Sequence, residues 1–217
     1  MKLVERDYLV FREVERWRYC LGRHIKVLAG FSSQRSCDRR LKVLLDMGYL
    51  NRKKIIYGVP SIYTLPFKSK MLIGANKRQE KVRLDNIIHD IAVLDSAIYI
   101  LSEYNISLSD IQTEKQLHSQ DGFSTRKHQP DFIFTKDKQT YCVEVELTLK
   151  AKDRVERNIK SNFLIYDIQI WILEDNPKLV KIINENKLQY PNIEVKQIKE
   201  VRNYVKFRDD NQNKRTD

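Results

Sequence analysis

The stretch that most constrains the fold is QPDFIFTKDKQTYCVEVELTLK, Gln129 to Lys150. Successive side chains of a strand point to opposite faces. Over Thr140–Thr148 that alternation sets Tyr141, Val143, Val145 and Leu147 on one face, and Cys142, Glu144, Glu146 and Thr148 on the other. Asp131–Thr135 is a second strand-like run, and the polar KDKQ between the two predicts a hairpin. Asp131, Glu144 and Glu146 are thereby drawn onto one small piece of sheet. The flanking segments predict the rest of a mixed α/β layer. AKDRVERNIKSNFLIYD has Val155, Ile159, Phe163 and Tyr166 at helical spacing. IQIWIL is almost wholly apolar, as a buried central strand requires. PKLVKIINENKL reads as a helix with Pro177 near its start, and IEVKQI as a last strand. Upstream, Leu84, Ile87, Ile88, Ile91, Leu94, Ala97, Ile98 and Leu101 predict a long, mostly buried helix. His89 lies on that helix beside Asp90, where a packed or hydrogen-bonded role is expected. Ser107–Leu117 is expected to hold a strand that includes Glu114. Gly122–His128, which contains RKH, is expected to be a loop, and RDDNQNKRTD a disordered tail.

The first 80 residues are chemically different. They hold 18 Lys/Arg against 7 Asp/Glu, while residues 81–217 hold 22 of each. The whole net charge of +11 therefore belongs to the first third of the chain. A polyanion-binding segment joined to a near-neutral one produces this asymmetry, although a solvated basic helix surface does too. Tyr8, Leu9, Phe11, Val14 and Trp17 predict a first helix. Cys20, Leu21, Ile25, Val27 and Leu28 predict a second, ended by Gly30. SSQRSCDRRLKVLLDMG predicts a third, capped by Ser32 or Ser33 and ended by Gly48. Cys37, Leu41, Leu44 and Leu45 form its inner stripe, and Arg35, Arg39 and Lys42 share another face. YLNRKKIIYGVPSIYTL reads as two short strands about a turn at Gly58–Pro60. Three helices followed by a basic hairpin predict a winged helix-turn-helix, in which the third helix enters the major groove. Ser33, Gln34, Arg35, Arg39, Arg40 and Lys42 are its expected DNA contacts, with Arg52, Lys53 and Lys54 on the wing. A winged helix that contacts protein instead is the competing expectation.

Composition narrows the function classes. No run of eighteen apolar residues is present, so no membrane span is expected. MKLVERDYLVFREVERWR lacks the uninterrupted apolar segment of a secretory signal. Cys20, Cys37 and Cys142 are odd in number and form no CxxC pair, which argues against a disulfide framework or a zinc site. A cytoplasmic location is expected. The domains expected are 1–70, a linker at 71–82, a second domain over 83–207, and the tail at 208–217.

The second half resembles the restriction-endonuclease-like fold. That resemblance implies Mg²⁺ or Mn²⁺ held by acidic residues on adjacent strands, with a lysine positioning the attacking water. Hard cations such as these prefer oxygen ligands, and they polarise phosphate. Asp131, Glu144 and Glu114 are then the expected metal ligands. Glu146 stands where an active nuclease of this kind carries lysine, so Lys150 and Lys160 are the candidates for a displaced cation. Two adjacent glutamates without a fixed cation also repel each other. A solvated sheet face is the bland alternative for this pair.

Taken together, RDYLVFREVERWR, SSQRSCDRRLKVLLDMGYL, HDIAVLDSAIYIL, QPDFIF and CVEVELT resemble the replication-relaxation family of plasmids and other mobile elements, over roughly residues 5–175. The resemblance implies an α+β protein, with a winged helix-turn-helix followed by an endonuclease-like core with a mixed sheet. By that likeness Asp131 matches the family's Pro-Asp aspartate, Glu144 its strand glutamate and Glu146 a second acidic position. It implies double-stranded DNA as partner, together with replication or relaxation proteins, at an origin-like site. Three functions are carried forward: a DNA-binding factor of a mobile element, a Mg-dependent DNA endonuclease, and a homodimeric winged-helix transcriptional regulator.

Overall fold

The structure, a computed structural model, describes residues 2–55, 57–76, 82–121 and 128–213; for 207 and 209–213 it describes the backbone alone. It is a mixed α+β protein with a five-stranded mixed sheet. Two compact units divide the chain, Met1–Leu94 with Lys206–Asp217, and Asp95–Val205. The division falls further along the chain than the boundary expected at residue 83.

In the first unit, α1 (Glu5–Arg16) starts where Asp7 accepts a hydrogen bond from the Val4 backbone N–H, 2.8 Å. A carboxylate in the first turn also opposes the positive end of the helix dipole. Its inner stripe is Asp7, Val10, Phe11 and Val14. Leu9, expected inside, is 42% exposed, because Val10 and Phe11 hold the inward positions. β1 (Cys20–Leu21) replaces the expected start of the second helix, which forms as α2 over Gly22–Leu28. Helical spacing alone does not reveal that Cys20 and Leu21 find strand partners in Tyr63 and Ile62.

α3 (Gln34–Asp46) forms as its ends dictate. The Ser33 Oγ accepts from the Ser36 N–H (3.1 Å), and the Ser36 Oγ accepts from the Ser33 N–H (3.3 Å). This reciprocal cap satisfies two otherwise orphaned donors. At the other end Gly48 takes φ +69°, which returns the chain so that the Tyr49 N–H reaches the Leu44 carbonyl, 2.8 Å. β2 (Asn51–Lys53) and β3 (Ile62–Thr64) follow, and the three short strands pair antiparallel in the order β1-β3-β2. α4 (Phe67–Leu72) enters the expected linker, of which residues 77–81 lie outside the described residues. α5 (Ile87–Glu103) is the long helix, buried almost continuously from Ala92 to Ile100. Its Ile87 packs with Tyr19, Leu21 and Ile62, and its Asp90 accepts the Tyr19 hydroxyl at 2.7 Å. The His89 Nδ1 lies 3.5 Å from the Asp90 Oδ1.

In the second unit a single 3-10 turn (Leu108–Asp110) leads into β4 (Ile111–Thr113) and α6 (Glu114–Gln120). Glu114 is thus the first residue of a helix and not a strand residue. The Thr113 side chain accepts from the Gln116 N–H and caps that helix, which ends the strand. β5 (Phe132–Lys136) and β6 (Gln139–Glu146) form the expected hairpin, closed by Asp137 (φ 50°) and Lys138 (φ 65°). β6 ends at Glu146, two residues short of the expected Thr148. α7 (Lys152–Phe163), β7 (Ile168–Leu173), α8 (Pro177–Lys187) and β8 (Ile193–Gln197) complete two parallel crossovers. The sheet order is β4-β5-β6-β7-β8, antiparallel over the first three strands and parallel over the last three. β7 is buried on both faces, as its composition predicts. α9 (Ile198–Asn213) was not anticipated, and it carries helix into the expected tail; residues 214–217 lie outside the described residues.

The core of this unit lies on both faces of the sheet. On one, Trp171 and Leu173 pack with Val155, Ile159, Leu179, Ile183 and Ile193 beneath α7 and α8. On the other, Phe134 stacks on Tyr141 at 4.5 Å, and Tyr104 meets both rings edge-on. α7 turns Val155, Asn158, Ile159 and Asn162 inward and leaves the expected Phe163 39% exposed. Cys20, Cys37 and Cys142 are buried free thiols. Among the described residues no helix is long and apolar enough to cross a membrane.

Candidate functional site

Two groups of residues carry the sequence expectations, one in each unit. On α3 the inner stripe holds the helix by Cys37, Leu41 and Leu44, so the opposite face is left to solvent. Arg35, Arg39 and Lys42 are exposed there. Arg52, Lys53 and Lys54 are exposed on and just after β2. Six of the nine expected DNA contacts therefore present their charge outward. The other three have local partners. Ser33 is the helix cap. Gln34 donates through Nε2 to the Asp38 Oδ1, 2.7 Å.

Arg40 faces α1. Its Nε donates to the Asp7 Oδ1 at 2.7 Å, and its second nitrogen pairs with the Asp7 Oδ2. Asp7 is fully buried, so this guanidinium neutralises a charge that would otherwise be stranded. Arg40 thus bridges α1 and α3, and its guanidinium is bound to Asp7 where those of Arg35 and Arg39 are exposed. Being three residues from Cys37 and one from Leu41, it stands on the flank of the inner stripe and not on the outward face.

The second group lies on the helix-covered face of the five-stranded sheet. β6 carries Glu144 opposite Trp171 and Glu146 opposite Leu173, so both glutamates share the face beneath α7 and are buried. Continuing the β5–β6 register one step sets Asp131 across from Glu144. The Asp131 Oδ2 accepts from the Val145 N–H, 2.7 Å. The Glu144 Oε1 is held twice, by the His128 Nε2 at 2.5 Å and by the Asn162 Nδ2 at 2.9 Å. Glu146 pairs with the Lys150 Nζ at 2.8 Å.

Burial works against a charge on His128, but the hydrogen bond and charge of Glu144, aided by Asp131, outweigh it. The imidazolium is thereby held above the ordinary histidine range, with Lys150 pulling the other way. Burial, then the charges of Cys142 and Glu144, push the nearby Tyr166 phenol up to about 12. The arrangement offers an imidazole braced by a carboxylate, with the Lys150 ammonium acting on it from nearby. These groups can bind an anion or exchange a proton.

Of the residues expected to bind metal, Asp131 and Glu144 stand across from each other by strand register. One Glu144 oxygen is taken by His128 and Asn162, and one Asp131 oxygen by a backbone N–H. The Glu114 N–H donates to the Asp131 carbonyl at 2.9 Å, while its side chain lies 3.7 Å from His118. Among the described residues no three His, Cys, Asp or Glu side chains form a group suited to a metal ion. Of the two lysines, Lys150 reaches the acidic pair, whereas Lys160 is exposed on the outer side of α7.

His128, Asn162 and Tyr166 were missed as site residues. His128 ends the segment expected to be a loop, of which 122–127 lie outside the described residues. Asn158 and Asn162 did leave a signal, because with Val155 and Ile159 they complete a three–four spacing on α7. Compared with known proteins, the chain matches no protein-family model and shows no significant similarity to a curated protein.

Proposed function

We propose that this protein binds double-stranded DNA through its amino-terminal unit, which we read as a winged helix-turn-helix. The order helix, strand, helix, helix and hairpin, with β1 paired to β3, supports the reading. The observation that carries it is the outward display of Arg35, Arg39 and Lys42 on α3 alongside Arg52, Lys53 and Lys54 at the hairpin. Phosphate neutralisation by such side chains drives binding, and residues of the third helix read the groove. The family resemblance extends the proposal to a factor of a plasmid or other mobile element, acting with replication or relaxation proteins at an origin-like site. The combined Arg35→Ala and Arg39→Ala variant should fold normally and lose specific binding in a mobility-shift assay. Unchanged affinity would refute the assignment.

A second reading is a DNA endonuclease built on a restriction-endonuclease-like core. It is favoured by Lys150, which brings an ammonium to Glu146 at the position where lysine itself is missing. Asp131 and Glu144 would hold the metal in this reading, each with one oxygen already in a hydrogen bond. Supercoiled DNA with Mg²⁺ or Mn²⁺ tests it: nicking by the natural protein that is lost in Asp131→Ala, Glu144→Ala and Lys150→Ala would establish it, and no nicking would dismiss it.

A further inference from the structure

We propose that Asp38 is a positioning residue for base recognition, holding the Gln34 amide so that Gln34 selects an adenine in the major groove. The inference rests on the DNA-binding reading and assigns one of its specificity determinants. Gln34 is the first residue of α3 and Asp38 lies one turn on, so the two side chains share a flank of the helix. Their hydrogen bond, Nε2 to Oδ1 at 2.7 Å, fixes which end of the amide faces the carboxylate.

The pair is also packed from below. A Cβ added at Gly22 would lie 3.4 Å from the Gln34 Nε2, 3.7 Å from the Asp38 Oδ1 and 3.8 Å from the Tyr63 ring. These are ordinary van der Waals distances, so the first turn of α2 lies beside both side chains. Tyr63 joins the pair to the hairpin: its phenol is raised mainly by burial, with the charges of Arg52 and Asp38 acting on it in opposite directions. Asp38 therefore stands near both the first turn of α2 and Tyr63 of β3.

A carboxylate among Arg35, Arg39 and Lys42 weakens attraction to phosphate of any sequence. Selectivity is what such a residue can return, by orienting a neighbour and disfavouring wrong partners. A glutamine amide has two N–H donors and one carbonyl acceptor. With one N–H given to Asp38, one donor and one acceptor remain. Adenine offers the complement, an N7 acceptor beside an N6 donor, whereas guanine offers two acceptors. A single remaining N–H cannot satisfy both guanine acceptors, and the amide carbonyl would face one of them.

The test begins with the full chain and a pool of random duplexes, from which bound sites are enriched and aligned. Dissociation constants are then measured for the enriched site and for sites with each adenine pair changed to a guanine pair. For the natural protein, one adenine-to-guanine change should weaken binding about tenfold or more, the scale of a bidentate contact. Gln34→Ala and Asp38→Ala should each reduce that penalty to about twofold or less, and the double variant should go no further. Asp38→Ala should bind unrelated duplexes as tightly as the natural protein or more tightly, with an unchanged melting temperature. Full discrimination retained in Asp38→Ala or in Gln34→Ala would overturn the proposal. Failure of the DNA-binding reading looks different, with no duplex enriched and retention indifferent to the Arg35→Ala and Arg39→Ala changes, and it overturns both.

Discussion

At the scale of single residues, the molecule spends its charged side chains in two ways, and burial decides which. Arg40 and Arg39 are neighbours in sequence, yet Arg39 is exposed and Arg40 is committed to a fully buried carboxylate. Removing one partner of such a pair strands the other, so Arg40→Ala should lower the unfolding free energy by about 2–3 kcal/mol. Urea denaturation measures this, and Arg39→Ala should shift the midpoint little. His128 supplies a prediction in pH. Its folded pKa is raised above the ordinary value of 6.5. A raised pKa means that the native state binds the proton more tightly than the unfolded chain. The stabilisation is therefore fully present below the ordinary value and is lost as pH rises through the folded one. An NMR titration of the imidazole should place its midpoint above 6.5, and Glu144→Gln should bring it down.

At the scale of elements, caps and turns explain where helices and strands stop. The Ser33–Ser36 cap and the Gly48 return bound α3, and both were legible because they are written in adjacent residues. The same locality failed at Glu114, where Thr113 caps a helix inside a segment whose apolar spacing suggested a strand. It failed again at Cys20 and Leu21, whose strand partners Tyr63 and Ile62 lie some forty residues away in the chain. Those pairings depend on distant sequence, which local spacing does not report. The β5–β6 turn carries this scale's prediction. Asp137 and Lys138 both take positive φ, the geometry of the two-residue turn that matches strand twist. A non-glycine residue is strained there, so Lys138→Gly should raise stability by about 0.5–1 kcal/mol. Thermal melting checks it, and the same change at Lys136, within β5, should lower stability instead.

At the scale of the whole molecule, the excess charge is confined to the first third of the chain, and this confinement sets how DNA affinity should respond to salt. Each lysine or arginine that neutralises a phosphate releases counterions. Arg35→Ala and Lys53→Ala should therefore each reduce the slope of log affinity against log salt by about 1, while Lys160→Ala should leave it unchanged. Fluorescence anisotropy over a salt series measures these slopes. Charge segregation, the hairpin over Phe132–Glu146, the caps of α3 and the buried β7 were determined by the sequence, since each depends on nearest neighbours or on composition. The shared face of Glu144 and Glu146 was also fixed there, by strand alternation alone. Tertiary structure decided what those side chains meet. It brought Asn162 from α7 and His128 from before β5 onto one glutamate oxygen, gave Lys150 and not Lys160 to Glu146, and turned Arg40 inward to Asp7. These partners are separated by 4 to 33 positions, and apart from Lys150 they come from different elements. Periodicity assigns a residue to a face; the packing of one element on another chooses its neighbour.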